Sequence, residues 1–452
     1  MSEASLTPQP VTKREGTTVV TGLQLQDGVR VPRRRVLAWG LWDWGSASFN
    51  AVVTTFVFTV YLTSSAGFGG TDFVSAQLGW ALGVAGVLVA LIAPITGQRS
   101  DGRGRRKFWL AVTTGVVVLC IAGLYFVSPS PTLLWLGLAL LAIGTVFYEV
   151  ATVNYNGMLT QIATPKSIGK VSGFGWSMGY FGGIVLLLIL YFGLIHPEVG
   201  WFGVTDANGI NVRVSMLIAA AWFLIFALPV LFAVPELEPV PSEATARTSI
   251  VASYVKLGRD VAELWRTSRT TLTFLIASAV FRDGLTGVFT FGGVLAAGTF
   301  GFSAGEVIIF AIAANVVAGV STVAVGALDD RLGPKTVIVA SLIGLVISGS
   351  LVIVLHGGGQ IVFWILGLIL CLFVGPAQSA SRSFLTRIIP AGREGEIFGL
   401  YATTGKAATF LAPTLFALFV TLFGAQVWGT VGIVLVLAVG LVLVLFVRAP
   451  KA

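Results

Sequence analysis

GQRSDGRGRRK, residues 97–107, has a counterpart in GALDDRLGPK, residues 326–335. Each stretch follows a long apolar run and sets Gly, an Asp four positions later, a second Gly three positions after that, and then a basic residue. A short polar turn between two membrane helices needs glycine for its bends and cations that keep it on the cytoplasmic side. Because the two copies lie about half a chain length apart, they predict a duplicated membrane architecture.

The composition indicates a helical membrane protein with many spans. Of 452 residues, 56% are hydrophobic and 11% are charged. Apolar runs of roughly 20 residues, the length that crosses a bilayer as a helix, recur from end to end. The runs are continuous and do not alternate with polar residues, which excludes a β-barrel. Cys120 and Cys371 lie in apolar runs and are expected to be small core residues, and His196 and His356 are too isolated to form a metal site.

We predict an all-α polytopic membrane protein, with twelve transmembrane helices in two six-helix pseudo-symmetric halves. The expected spans are 36–62, 75–98, 107–127, 131–157, 171–195, 213–234, 271–299, 303–327, 336–355, 359–381, 396–423 and 426–447. The expected organisation is a disordered cytoplasmic tail at 1–35, an N-terminal half at 36–234, a cytoplasmic linker at 235–270, a C-terminal half at 271–447 and a cytoplasmic C-terminus at 448–452.

The basic residues predict the orientation of these spans. All but three of the 28 Lys and Arg residues fall on one side of the map, the exceptions being Arg213, Arg282 and Lys406. Cytoplasmic loops of membrane proteins carry an excess of Lys and Arg, so both termini are expected in the cytoplasm. The protein itself is expected in the cytoplasmic membrane of the cell. The net charge of +8 then indicates contact with anionic membrane lipids and not with nucleic acid.

Polar side chains inside the spans are the candidates for a binding site, because ionisable groups in the bilayer are costly unless they face a cavity or a partner. In the first span Trp39, Asp43, Ser46, Asn50 and Thr54 recur at helical spacing, as do Thr145, Glu149, Thr152 and Asn156 in the fourth. The predicted substrate-binding residues are Asp43, Asn50, Glu149, Asn156, Arg282, Asp283, Gln378, Tyr401 and Lys406.

The charged members of this set are expected at similar depths, so they suggest a single polar cavity. Adjacent residues on a helix diverge by about 100°, so Arg282 and Asp283 must each face another helix or a ligand. The alternative is a set of ion pairs that closes a cytoplasmic gate, which suits Glu149 and Lys406 better than Asp43 and Arg282. The predicted gate residues are Gly97, Asp101, Gly104, Arg105, Arg106, Asp330, Arg331 and Arg382.

Glycines at a spacing of four predict close helix packing. They are Gly175, Gly179 and Gly183 in the fifth span, and Gly79 and Gly83 in the second. Small residues on one face let membrane helices approach each other and slide.

Several segments in both halves carry a family resemblance. They are WGLWDWGSASF at 39–49, FYEVATVNYNGMLTQIATP at 147–165, GKVSGFGWSMGYFGG at 169–183, FRDGLTGVFTFGGVLAAG at 281–298 and GPAQSASRSFLTRIIPAGREGEIFGLYATTGK at 375–406. With the paired turns, they resemble the major facilitator superfamily and, more closely, its vacuolar-effluxer group, which is related to the autophagy-linked amino-acid effluxer. The sequence departs from the family pattern at Gly102, Trp42 and Gly45.

The resemblance implies a twelve-helix transporter that works by alternating access, with efflux of amino acids as the best-known activity. We therefore expect secondary transport of a small polar or zwitterionic solute by a monomer without cofactors. Arg282 would bind the carboxylate of the solute and Asp43 or Asp283 its amine, while Asn50, Asn156 and Gln378 would donate or accept hydrogen bonds. Asp43, Glu149 and Asp283 are the candidates for a coupling proton.

Three other functions follow less directly from the residues. An exporter of amphiphilic drugs or lipid-like molecules would need aromatic walls more than fixed charges. A transport-inactive membrane scaffold or receptor would use the tail and the linker for binding. An enzyme is not expected, because no set of nucleophile, base and acid and no metal cluster can be assembled from the sequence. The sequence contains no ATP-binding loop of the G-x-x-x-x-G-K-[ST] type, so the energy for transport is expected to come from an ion gradient or from the solute gradient itself.

Overall fold

The computed structural model describes residues 31–64, 66–103, 106–163, 168–235, 250–388 and 394–448, and within these ranges it is helical without strands. The long helices are α1 (Arg33–Ala47, continued by Ser48–Phe56 and Phe58–Ser64), α2 (Thr71–Arg103), α3 (Arg106–Gly123), α4 (Pro131–Gly157), α5 (Ile168–Leu190), α6 (Ile210–Ala233), α7 (Arg269–Gly298), α8 (Ala304–Leu332), α9 (Pro334–Val354), α10 (Gly359–Ile388), α11 (Glu394–Ala407 with Leu411–Phe423) and α12 (Gly429–Phe446).

The prediction of an all-α membrane protein with twelve transmembrane helices is confirmed. Each of α1 to α12 contains a stretch that is long and apolar enough to cross a bilayer. We call the side of the bundle where α1 begins and α12 ends the terminal face, and the side where α1 runs into α2 the distal face. Residues 1–30 of the predicted tail (1–35), residues 236–249 of the predicted linker and the C-terminal residues 449–452 lie outside the described residues. Arg33, Arg34 and Arg35, which were expected in the disordered tail, form the first turn of α1.

A helix occupies the second part of the predicted polar linker. This linker helix, Ile250–Thr267, packs against α2 and α7 at the terminal face. Only Ser268 separates it from the first residue of α7, and the Ser268 amide donates to the Leu264 carbonyl at 2.8 Å. The sequence prediction treated 235–270 as a connection, and the structure shows that its second part is ordered as a helix.

Helix α1 contains a π-helical segment, Ser48–Phe56. The hydroxyls of Thr54 and Thr55 both donate to the Asn50 carbonyl, at 2.8 and 2.7 Å. Such side-chain bonds compete with the regular backbone pattern, and wide turns of this kind are frequent at functional sites. The segment borders the central cavity described below.

Helix α11 is broken at residues 408–410, where the sequence predicted one continuous span. Pro413 explains the break, because proline has no amide hydrogen to donate to the preceding turn and fits best in the first turn of a helix. The second part begins at Leu411, so Pro413 lies in that first turn. The amide of Ala412 is thereby left without a partner in its own helix and donates to Asp283 of α7 at 2.6 Å.

Glycines allow the close helix contacts that hold the bundle together. A methyl group added to Gly175 of α5 would lie 2.5 Å from the Trp39 ring of α1. One added to Gly79 of α2 would lie 2.9 Å from the Pro413 carbonyl oxygen of α11. The second contact joins an N-terminal helix to a C-terminal one near the distal face.

Four polar residues also join the two sets of six helices at the distal face. We call Asp72, Ser75, Thr299 and Gln426 the distal cluster. The backbone amide of Gln426 donates to Asp72 Oδ1 at 2.6 Å, and its side-chain Nε2 donates to Ser75 Oγ at 2.8 Å. The Thr299 hydroxyl donates to Gln426 Oε1 at 2.7 Å. Gln426 is only 2% exposed, so all the polar groups of its side chain are satisfied inside the protein.

Candidate functional site: a charged cavity between the two halves

A polar cavity of about 450 Å³ lies between α1, α4 and α5 on one side and α7, α8, α10 and α11 on the other. The structure places all nine predicted substrate-binding residues in its wall. They are Asp43, Asn50, Glu149, Asn156, Arg282, Asp283, Gln378, Tyr401 and Lys406. Their binding role stays a prediction, but their assembly around one space follows from the fold.

Helices α1 and α4 form a wall that carries a carboxylate and several hydrogen-bonding groups. Asp43 accepts a hydrogen bond from the Ser46 hydroxyl at 3.3 Å. Farther along α1, the Asn50 amide donates to the hydroxyl of Tyr148 at 2.6 Å. Among the described residues Asp43 has no cationic partner, so its carboxyl group is available to a ligand.

Stacked aromatic rings behind this wall fix α1 against α4. The Tyr155 ring stacks on Trp39 at 4.4 Å and on Trp42 at 4.2 Å between centroids. Trp39 also donates from its indole nitrogen to the Tyr155 carbonyl at 3.1 Å. Trp39, predicted as part of the polar stripe of α1, is therefore buried in the α1–α4 contact and does not face the cavity. Thr145 of the α4 stripe is also outside the cavity wall, and its hydroxyl donates to the Leu141 carbonyl.

The opposite wall carries two guanidinium groups. The Cζ atom of Arg282 on α7 lies 4.2 Å from the centroid of the Tyr401 ring on α11, and its Nη1 donates to the Tyr401 carbonyl at 3.3 Å. Arg382 of α10 lies over the Trp176 ring of α5 at 4.9 Å. Cation–π contacts position a guanidinium without neutralising its charge, so both groups keep the capacity to bind an anion.

One ion pair crosses the cavity between the halves. Lys406 of α11 pairs with Glu149 of α4, and both side chains are partly exposed to the cavity. The two charges cancel each other, in contrast to Asp43 and Arg282, for which the described part of the chain offers no ion-pair partner.

Asp283 has a structural partner, which the sequence did not indicate. Its side chain is 4% exposed, and Oδ2 accepts the hydrogen bond from the Ala412 amide at the break in α11. Arg282 and Asp283 were expected to contact helices other than α7, and both contact α11. Arg282 contacts Tyr401, and Asp283 contacts Ala412.

The predicted gate residues occupy several different places. Gly104 and Arg105 lie outside the described residues, as do the side chains of Asp101, Asp330 and Arg331, and Gly97 is described only as part of the backbone of α2. Arg106 is buried and donates to the Gly157 carbonyl of α4, a contact within the N-terminal half. Arg382 lies in the cavity wall and not at the helix ends.

Sequence reasoning missed several residues of the wall. The aromatic side chains of Trp176, Tyr180 and Phe289 line the cavity, as does Asn315 of α8. Asn315 is an isolated amide in the apolar stretch 307–320 of α8, which is a signal of the kind that identified Asn50. Trp176 and Tyr180 carried no such signal, because aromatic residues in a membrane helix also face lipid. No group of His, Cys, Asp or Glu in the described residues could hold a metal ion.

The comparisons with known proteins agree with this arrangement. Residues 68–452 match the model of the family described as "Vacuole effluxer Atg22 like". A Bacillus subtilis (strain 168) protein described as "Uncharacterized MFS-type transporter YxiO" is 26% identical over 416 residues, which cover 91% of this chain and 94% of the relative. Autophagy-related protein 22 of Cryptococcus neoformans var. neoformans serotype D (strain B-3501A) is 26% identical over 286 residues, 60% of this chain and 51% of that protein. The chain thus matches about half the length of this fungal relative.

Solved structures of transporters share the fold. The nucleoside transporter NupG superposes with a TM-score of 0.65 at 13% identity, covering 91% of this chain and 98% of that one. The xylose transporter XylE from E. coli, in an inward open conformation, superposes with a TM-score of 0.63 at 15% identity, covering 93% and 96%. At these identities the likeness concerns the fold alone. The match to the family model extends over most of the chain, and this protein therefore belongs to the Atg22-like family of vacuole effluxers and is a multi-pass membrane transporter of the major facilitator (MFS) type.

Proposed function

We propose that the protein transports a small zwitterion, an amino acid in the first instance, and exports it from the cytoplasm by alternating access. The observation that carries this proposal is the division of charge in the cavity. Asp43 on α1 and Arg282 on α7 line the same space from opposite halves, and among the described residues neither has an ion-pair partner. A zwitterion supplies a cation for the one and an anion for the other.

The other two carboxyl groups in the cavity wall, those of Glu149 and Asp283, already have partners within the protein, which supports this assignment. Glu149 pairs with Lys406, and Asp283 accepts the Ala412 amide. Asp43 is therefore the better partner for a substrate amine than Asp283, and Arg282 is the partner for the carboxylate. The cavity volume of about 450 Å³ is ample for an amino acid with its first water molecules.

Ligand-dependent thermal stabilisation of the purified protein tests this proposal. Amino acids, peptides, sugars and amphiphiles would be compared on the wild type, Asp43→Asn and Arg282→Gln, with Arg213→Gln as the matched control. Arg213 lies on α6 outside the cavity, over the Tyr125 ring. We expect an amino acid to stabilise the wild type and the control but neither cavity variant.

Two results would contradict the proposal. Stabilisation by amphiphiles alone would favour an exporter of lipid-like molecules, for which Trp176, Tyr180 and Phe289 would form the contact surface. An amino acid that stabilises Asp43→Asn and Arg282→Gln as strongly as the wild type would remove these two residues from the site. Flux of the stabilising solute into liposomes, with and without a pH gradient, then tests coupling to a proton carried by Asp43 or Asp283.

A further inference from the structure

We propose that the linker helix lies in the headgroup layer of the bilayer at the terminal face, where Arg266 and Arg269 bind anionic phospholipid. The proposal concerns a surface that is separate from the cavity, and it holds for whatever solute the protein carries.

The position of the linker helix places it at the level of the membrane surface. It ends at Thr267, and the membrane-spanning part of α7 begins at Arg269. The Ser268 amide donates to the Leu264 carbonyl, and the Leu272 amide donates to the Ser268 carbonyl at 3.2 Å, so the chain turns from one helix directly into the next. The last turns of the linker helix are thereby held beside the first turn of a transmembrane helix.

The apolar side of the linker helix is only partly covered by protein. Leu264 is fully buried and Val261 is half-buried, because this edge packs against α2 and α7. Trp265 lies beside this edge, next to Leu264 in the sequence, and is 52% exposed. A tryptophan with an exposed apolar ring is typical of the boundary between headgroups and acyl chains.

The charges beside this edge select the kind of lipid. Arg259, Arg266 and Arg269 are all exposed, and the Arg269 guanidinium lies 5.2 Å from the centroid of the Trp265 ring. An arginine held next to an interfacial tryptophan can bind a lipid phosphate while the ring contacts the acyl chains. Basic side chains at a membrane surface favour anionic lipids, so the surface fits phosphatidylglycerol better than a zwitterionic lipid.

Because the linker helix contacts both α2 and α7, it touches a helix from each half of the transporter.

The depth of the helix is measured with single spin labels in nanodiscs that contain phosphatidylglycerol. Cys120 and Cys371 are both buried, so the label would attach to an introduced cysteine. We expect the label at Trp265→Cys to be accessible to oxygen and protected from a water-soluble nickel complex, and the label at Arg259→Cys, on the polar side, to be accessible to the nickel complex. Nickel access at both positions, or protection of both by a protein partner or a second copy, overturns the proposal.

The lipid preference is measured as the difference in Tm between protein with added phosphatidylglycerol and protein with added phosphatidylcholine. We expect phosphatidylglycerol to stabilise the wild type more, and the double variant Arg266→Gln with Arg269→Gln to lose most of that difference. Comparing the two lipids within each variant removes any general destabilisation. Arg448→Gln, which changes an exposed arginine after α12, is the matched control and should keep the difference. If the double variant also keeps it, the lipid assignment is wrong.

Discussion

Single residues of the cavity wall differ in whether their charges are already engaged. Helical spacing in the sequence predicted that Arg282 and Asp283 face different partners, because adjacent side chains diverge. The structure supplies those partners on α11, and one of them is a backbone amide at a break in the helix. A backbone partner of this kind leaves no trace in the residue pattern, so the occupied state of Asp283 could not be predicted.

Asp283→Ala is expected to destabilise the protein, because it leaves the buried Ala412 amide without an acceptor. An unsatisfied buried donor costs about 1–3 kcal/mol. Asp283→Asn retains a side-chain oxygen that can accept the same hydrogen bond, so its Tm should stay close to that of the wild type. Thermal unfolding of the two purified variants measures this difference.

A second outcome separates the structural role of Asp283 from a role in coupling. If Asp283 also carries a proton, Asp283→Asn should fold normally but lose the dependence of flux on a pH gradient. Equal loss of stability in both variants would contradict the hydrogen bond to Ala412.

The Glu149–Lys406 pair should behave as a unit. Glu149→Gln or Lys406→Gln alone leaves one uncompensated charge between the halves, and truncating one member of a desolvated pair is usually more costly than losing both. We expect each single variant to lower Tm and the double variant Glu149→Gln with Lys406→Gln to recover part of that loss. Additive losses in the double variant would show that the two side chains act independently.

At the scale of helices, the spans and their order were predictable but their irregularities were not. Apolar length and the basic loops located twelve helices, because these properties depend on composition alone. The π-helical segment of α1 accompanies local bonds from the Thr54 and Thr55 hydroxyls to the Asn50 carbonyl, and such bonds are not evident from apolar length alone. Pro413 was a local signal for the break in α11, since it interrupts an otherwise helical pattern.

The contact between α2 and α11 should control access from the distal face. Gly79→Val would place a side chain against the Pro413 carbonyl, and overpacking of this kind costs about 1–3 kcal/mol. We expect the variant to open the cavity toward the distal face. The cysteine of Thr54→Cys, in the cavity wall, should then react faster with an impermeant thiol reagent added on the distal side. Gly115→Val in α3 is the control, because a methyl group at Gly115 meets no atom within 4 Å.

At the scale of the whole molecule, the duplicated turns predicted two sets of six helices because each turn follows the second helix of its set. The same turns were expected to form a gate, but most of their side chains lie outside the described residues. The residues around the cavity, by contrast, could be predicted, because charged side chains within membrane spans face the interior of the helix bundle or a cavity and not lipid.

The distribution of basic residues predicts that both chain ends lie in the cytoplasm. A reporter enzyme that is active only in the cytoplasm, fused after residue 452, should therefore be active in cells. The same reporter inserted in the distal loop between α5 and α6 should be inactive. Activity of the loop fusion together with inactivity of the C-terminal fusion would reverse the orientation, and with it the direction in which the cavity is loaded.

The distal cluster has a consequence for the temperature dependence of transport. Gln426 donates to Asp72 and Ser75 across the two halves while Thr299 holds its carbonyl oxygen, so separating the halves at this face breaks two hydrogen bonds of one buried residue together. Such a step has a high activation enthalpy, and on cooling it slows more than steps that break no such bonds. Where opening at this face limits the cycle, turnover should fall steeply in the cold. Gln426→Ala removes the side-chain bond to Ser75 and keeps the backbone bond to Asp72, so it should flatten the Arrhenius slope of turnover in part.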